Sequence, residues 1–422
     1  MRKILFLVLD GMGDRSMPEL GHLTPLEAAS TPNMDALAAT GAQGTLSTIG
    51  TGVAPESAAA VMSLLGYDVN TLYTGRGPLE ADGAGIEVAP GDLAWRVSFA
   101  TVDGDGRVVD RRAGRSLLTE DAGELVAALQ RGIHLDGATF QLVHTGGHRA
   151  SLVIRAIGEP LSGEVDNSDP GYHRAGRFSV PSTDGAREIP VVVPLRDGEA
   201  QRRSAGLTND FVAQSTRVLA AHPVNQRRNA DGYPPANRLL VRDAGDRLPA
   251  LEHLDVVFGR RFAALVDLPV ERGLTRLAGM HQVPLERATG AMEHDFARLA
   301  DHAVEALDAF DGVYLQVKAP DVASHLGDHR RKTDALTMVD ESLVGRIADR
   351  VDLSSLTTCI TADHATPCAL GEHSADPVPV LVSGGIEPDG AGSFGEVNAF
   401  RGALGRMTGP ELMPRLVAVS AA

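Results

Sequence analysis

The chain has 422 residues, and 39 Lys and Arg against 55 Asp and Glu give a net charge of −16 with His neutral. That sign argues against a general nucleic-acid binder, which needs a basic surface, but it allows a local Arg cluster for a small anion. Hydrophobic residues at 43% and charged residues at 22% indicate a globular protein. No apolar run reaches the roughly 20 residues of a membrane span, and two cysteines, Cys359 and Cys368, fit a reducing cytoplasm rather than a disulfide framework.

The length suggests about two or three domains. Ile4 to Leu9 is continuously apolar, as in a buried parallel strand. The run is short and meets Asp10-Gly11 with no small-residue cleavage site behind it, so it reads as a first strand and not a signal peptide. Thr31 reads as an N-cap with Pro32 at the first helical position, and Gly41 as the end of that helix. Ser57 opens an Ala-rich helix, Ala58 to Leu65, stopped by Gly66. Residues 82–250 change character, with long loops and short strand candidates at Leu152-Val153-Ile154 and Val191-Val192-Val193. They read as an inserted α+β domain, leaving 1–81 and 251–422 as one core.

After Leu254 an alternation of strands and helices returns. Strand candidates are Phe262 to Val266, Val313 to Val317, Leu356 to Thr361 and Val378 to Val382. Met292 to Phe310 and Lys332 to Val351 have helical spacing. This pattern predicts an α/β fold with a doubly wound, mostly parallel sheet.

In such sheets ligands bind beyond the carboxyl ends of the strands. Asp10, Asp321 with His325, Asp363-His364 and His373 all fall near strand ends, and Ser57 falls in a helix first turn, where free N–H groups favour an anion. Taken singly, Asp10 could be a turn residue and Ser57 a plain helix-start serine. Together, so many polar groups at one sheet edge would be costly without cations. Carboxylate and imidazole donors fit Mn or Zn, with Mg possible. Two divalent ions would acidify a coordinated Ser57 hydroxyl and clamp a phosphoryl group.

The blocks Leu9-Asp10-Gly11-Met12-Gly13-Asp14, Tyr73-Thr74-Gly75-Arg76-Gly77-Pro78, Asp110-Arg111-Arg112-Ala113-Gly114-Arg115, His222-Pro223-Val224-Asn225, Thr361-Ala362-Asp363-His364-Ala365-Thr366-Pro367-Cys368 and His373-Ser374-Ala375-Asp376-Pro377 resemble, in order, the archaeal-type cofactor-independent phosphoglycerate mutases of the alkaline phosphatase superfamily. The resemblance implies an alkaline-phosphatase-like metal-binding core and a substrate-binding lid domain. It assigns Asp10, Ser57, Asp363 and His364 to one ion, and Asp321, His325 and His373 to the other. Ser57 would be the catalytic nucleophile, taking a phosphoryl group from a small phospho-acid and returning it to another oxygen without bisphosphoglycerate. Arg76, Arg112, Arg115, His148 and Arg149 would contact the substrate anion, guanidinium groups being suited to bidentate oxyanion binding.

Two segments depart from that family's usual pattern. Glu56-Ser57-Ala58-Ala59-Ala60-Val61 stands where Gly-Ser-Asp-Thr-Ala-His is usual, and Glu286-Arg287 where Pro-Gly is usual. Glu56 adds negative charge beside the expected phosphoryl site; Arg287 could offset it or contact an anion. The family default is interconversion of 2- and 3-phosphoglycerate. The altered segment keeps open a transfer on a phosphonate or related phospho-acid in specialised biosynthesis, a phosphohydrolase, or a non-catalytic metal-stabilised binder.

Overall fold

The computed structural model describes residues 1–182 and 185–422, which pack as two units. The first comprises 1–72, 251–267 and 274–422; the second comprises 73–250 and 268–273, so it starts ahead of residue 82 and takes in a short downstream segment.

The first unit is built on a sheet whose order, among the described residues, is His281–Gln282, Phe262–Leu265, Gly312–Val317, Lys3–Leu9, Leu356–Thr361, Val378–Ser383, Gly41–Ser47 and Gly405–Thr408. Lys3–Leu9 is central, and Ile4 to Leu9 are at most 3% exposed because neighbours and helices cover both edges and faces. Its register is parallel on both sides: Leu9 lies opposite Val317, and Val8 opposite Thr361. The three carboxyl ends therefore finish level, and the residues that follow them leave the sheet at one edge.

Val378–Ser383 is antiparallel to both its neighbours, against the parallel direction that regular alternation would give it. The link from Thr361 to Val378 is a loop without a crossover helix, and a parallel connection requires a crossover. The reversal brings residues just before Val378, including His373, to the edge where the other strands end.

Three local expectations change in the first unit. The helix Pro32–Ala39 is not capped by the Thr31 side chain; Asp340 accepts from the Asn33 and Met34 amides at 3.1 and 2.8 Å. Gly41 begins a strand instead of closing the helix, where a Cβ would meet the Val382 carbonyl at 2.5 Å. The helix read as Lys332 to Val351 runs from His329 to Val339, widens to a π turn over Asp340–Gly345, and ends at Ala348.

The second unit is an α+β arrangement. Leu93–Val102 pairs antiparallel with Arg149–Ala156, Arg238–Gly245 and Val108–Asp110, and Arg149–Ala156 pairs with Ala138–Gly146. Helices Thr119–Gly132 and Glu199–Ala220 contribute Leu125, Leu129, Phe211 and Leu219 to a core shared with Trp95 and Phe99. Val191 to Val193 is not a strand. Val192 is held by the Asn209 amide through both its N–H and its carbonyl, while Val191 and Val193 face solvent. Among the described residues, no helix is long and apolar enough to cross a membrane.

Candidate metal centre

Asp10 follows the central strand and is fully buried. Its Oδ2 accepts from Gln316 Nε2 at 2.8 Å and Lys318 Nζ at 2.5 Å, while its Oδ1 makes no hydrogen bond. Asp363 follows the neighbouring strand. Its Oδ1 accepts from the amides of Gly11 and His364 at 3.2 and 3.0 Å, and its Oδ2 likewise lacks a hydrogen-bond donor. Both orphaned oxygens face His364 Nε2, at 3.4 and 3.3 Å. Two buried carboxylate oxygens without donors beside one imidazole nitrogen are a donor set that fits a divalent cation.

The second trio is Asp321, His325 and His373. Asp321 sits in the short helix Ala319–Ser324, and His325 continues its turn, so the i,i+4 spacing puts both on one face. His325 Nε2 is 3.4 Å and His373 Nε2 3.8 Å from Asp321 Oδ1.

All three imidazoles are aimed through Nδ1: His325 against the Gly371 carbonyl at 2.7 Å, His373 against the Pro55 carbonyl at 2.8 Å, and His364 against Thr366 Oγ1 at 3.0 Å. This leaves each Nε2 facing the carboxylates, the outer support that metal-ligating histidines normally have. Burial holds His364 down to about 4, and burial together with His364 holds His373 well below the usual histidine range. Neutral imidazole is the ligating form. Burial, then repulsion from Asp10, raises Asp363 well above the ordinary carboxylate range. Burial would also raise Asp321, but the Lys318 ammonium and the surrounding imidazoles outweigh it and hold it low.

Ser57 is the first residue of helix Ser57–Leu64 and 4% exposed, with Oγ 3.1 Å from His364 Nε2. Glu56 occupies the N-cap position, and its side chain does not cap the helix. Ala58, Ala59 and Val61, which stand where polar residues are usual, are all buried. Arg287 is exposed, and its carbonyl accepts from Arg298 at 3.3 Å.

The second unit gathers a cationic cluster. Arg76 and Arg96 flank buried Glu80 at 3.2 and 3.6 Å. His148 is pushed down to about 3 by burial and by Arg149, Arg96, Arg115 and Arg242. Arg76, Arg115, His148 and Arg149 thus belong to one electrostatic neighbourhood. Arg112 lines an open cleft of the same unit with Arg111, Arg115 and Arg187.

Lys318, Arg96 and Arg242 were not anticipated. Each had a faint signal: Lys318 stands at the carboxyl end of an apolar strand, and the two arginines interrupt apolar strands. Only the register puts Arg96 opposite Arg242. Arg242 also lies over the Tyr172 ring at 3.6 Å, and the next residue, Asp243, adopts φ +61°.

A family model described as 2,3-bisphosphoglycerate-independent phosphoglycerate mutase matches residues 38–225. The mutase of that name from Methanopyrus kandleri is 42% identical over 416 residues, covering 98% of this chain and 95% of its own length. That from Aeropyrum pernix is 41% identical, covering 96% of each. The chain belongs to the 2,3-bisphosphoglycerate-independent phosphoglycerate mutase family. Among solved structures, a Pyrococcus horikoshii protein superposes with TM-score 0.80 at 32% identity, covering 100% of this chain and 97% of the other. The cofactor-independent phosphoglycerate mutase of Thermoplasma acidophilum superposes with TM-score 0.63 at 31% identity, with both chains fully covered. Membership in this mutase family makes the chain an enzyme of phosphoryl transfer, with an α/β core and an inserted unit.

Proposed function

We infer that the protein interconverts 2- and 3-phosphoglycerate through a phosphoserine at Ser57. The observation that carries the reading is the nucleophile's setting: a buried Ser57 Oγ at a helix start, 3.1 Å from His364 and beside two trios of carboxylate and imidazole ligands. Asp10, Asp363 and His364, with the Ser57 hydroxyl, would hold one divalent cation, and Asp321, His325 and His373 the other. The mixed oxygen and nitrogen donors suit Mn or Zn, with Mg a poorer match. Bound cations would supply Lewis acidity, easing loss of the Ser57 proton and neutralising phosphoryl oxygens.

The chain's own residues do the rest. Ser57 Oγ attacks phosphorus; the new Oγ–P bond forms as the P–O bond to glycerate breaks, and the departing oxygen takes a proton. The glycerate's other hydroxyl then attacks the phosphoserine, loses its proton, and restores the serine. First-turn amides, which the Glu56 side chain does not cap, favour the phosphoryl charge. Arg76, Arg112, Arg115, His148 and Arg149, joined by Arg96 and Arg242, supply donors for a small phosphorylated carboxylic acid. No bisphosphoglycerate is required, because the serine carries the phosphoryl group between the two esters. Buried, unpaired Cys359 and Cys368 suit a cytoplasmic setting.

The test is phosphorus NMR of metal-loaded protein with 3-phosphoglycerate. Appearance of the 2-phosphoglycerate resonance supports the reading. Release of inorganic phosphate alone would make the protein a hydrolase; silence here with turnover of a phosphonate analogue would redirect it to the rival substrate class.

A further inference from the structure

The two trios share an unexpected neighbour. Lys318 Nζ lies 2.5 Å from Asp10 Oδ2 and 3.4 Å from Asp321 Oδ2, touching one carboxylate of each. The oxygens divide by role. The imidazoles face Oδ1 of both residues, His364 on Asp10 and His325 and His373 on Asp321. Lys318 takes Oδ2 of both. Asp10 Oδ1 is one of the buried oxygens without a hydrogen-bond donor. The ammonium therefore occupies the outer oxygens and leaves the inner ones turned toward the ligand clusters, Asp321 Oδ1 also accepting from Thr366 Oγ1 at 3.1 Å.

The backbone around Lys318 is fixed. The Asp10 amide donates to the Val317 carbonyl at 2.9 Å, and the Val322 amide to the Lys318 carbonyl at 3.2 Å. Gln316 Nε2 also holds Asp10 Oδ2, and Gln316 is itself held by the Tyr314 hydroxyl at 2.8 Å. An ammonium presents donors in several directions from one point charge, so it can serve two carboxylates at once.

We propose that Lys318 is a positioning residue that ties the two cation sites together, fixing the rotation of Asp10 and Asp321 so that both present Oδ1 to the ions. The proposal rests on the metal-centre reading above. Loss of such outer support typically costs metal sites 10- to 100-fold in affinity, about the range expected here. A bare charge effect has the opposite sign, since removing a nearby cation strengthens binding of another cation.

The experiment is calorimetric titration of Mn2+ into metal-free wild type, Lys318→Met and Lys318→Arg, with Co2+ visible spectra as a coordination signature. In Lys318→Met both sites should weaken together, by about 10-fold or more, and the Co2+ spectrum should change. Lys318→Arg, which keeps charge and donors, should restore most of the affinity. If Lys318→Met does not fold, Lys318→Gln takes its place with the same expectation. Unchanged or tighter Mn2+ binding, or weakening at one site alone, overturns the proposal. Wild type that binds no Mn2+ overturns the metal reading itself and the proposal with it.

Discussion

Lys332 and Asp14 form an ion pair 2.8 Å long with both side chains fully buried. The same ammonium donates to the carbonyls of Gly11, Gly13 and Thr366, and Asp14 accepts the Cys368 amide. One buried charge pair thus locks the loop that carries Asp10 to the loop that carries Asp363 and His364.

Breaking that pair from one side leaves an uncompensated buried charge. Lys332→Met is expected to lose about 3–5 kcal/mol of unfolding free energy. Replacing both partners, Lys332→Met with Asp14→Leu, should recover part of the loss. Denaturant melts of the three proteins check this; a single variant as stable as wild type would refute the structural role.

Ser57→Ala removes the proposed nucleophile and leaves Asp10, Asp363, His364, Asp321, His325 and His373 in place. Turnover should fall by more than about a thousandfold, and mass spectrometry should find no phospho-enzyme. Mn2+ should still bind. A phosphorylated Ser57→Ala protein would assign the nucleophile elsewhere.

The candidate carboxylates Asp10, Asp321 and Asp363 are legible because each follows an apolar strand within a few residues, so strand and candidate donor are read together. Asp10, Asp321 and Asp363-His364 needed no knowledge of the tertiary fold. The direction of Val378–Ser383 did not show, because a short apolar run has no polarity of its own. Asp340 as the cap of Pro32–Ala39 was out of reach for another reason: it lies 307 positions from Asn33. Nothing in the sequence singles out Lys318 or Lys332, since lysine is ordinarily solvated; only packing shows Lys332 fully buried and the half-exposed Lys318 against two carboxylates. The pairing of Arg96 with Arg242 depends on register, which no strand determines alone.

Acid and base should move stability through Glu396. Its carboxyl is pushed up to about 7, by desolvation first and by Glu27, against the Thr24 hydrogen bond and the Lys332 charge. Thr24 Oγ1 and the Asp14 amide donate to it at 2.6 and 3.3 Å. A raised carboxyl favours folding fully below its unfolded value of 4.5 and loses that contribution as pH rises through about 7. Glu396→Gln should therefore flatten the stability profile between those limits. Equal slopes in wild type and variant, measured by denaturant midpoints, would exclude the effect.

Removing metal should destabilise the first unit. Cations that bind the folded chain alone stabilise it by mass action, by about 2.7 kcal/mol at 100 times Kd. Thermal melting with Mn2+, with chelator, and after Mn2+ is returned should show a reversible rise and fall. A melting temperature indifferent to all three would speak against buried cation sites.

Arg96→Met should raise KM for phosphoglycerate while leaving Mn2+ stoichiometry intact, because it removes a guanidinium from the cationic cluster and none of the metal ligands. Steady-state kinetics beside metal titration separates the two effects. Loss of Mn2+ with unchanged KM would contradict an anion-binding role.

The central claim, a pair of divalent cations beside Ser57, is tested most directly by anomalous diffraction from Mn-loaded crystals. The account predicts two peaks, one among Asp10, Asp363 and His364 and one among Asp321, His325 and His373. A single peak, or peaks lying outside these residues, would contradict it.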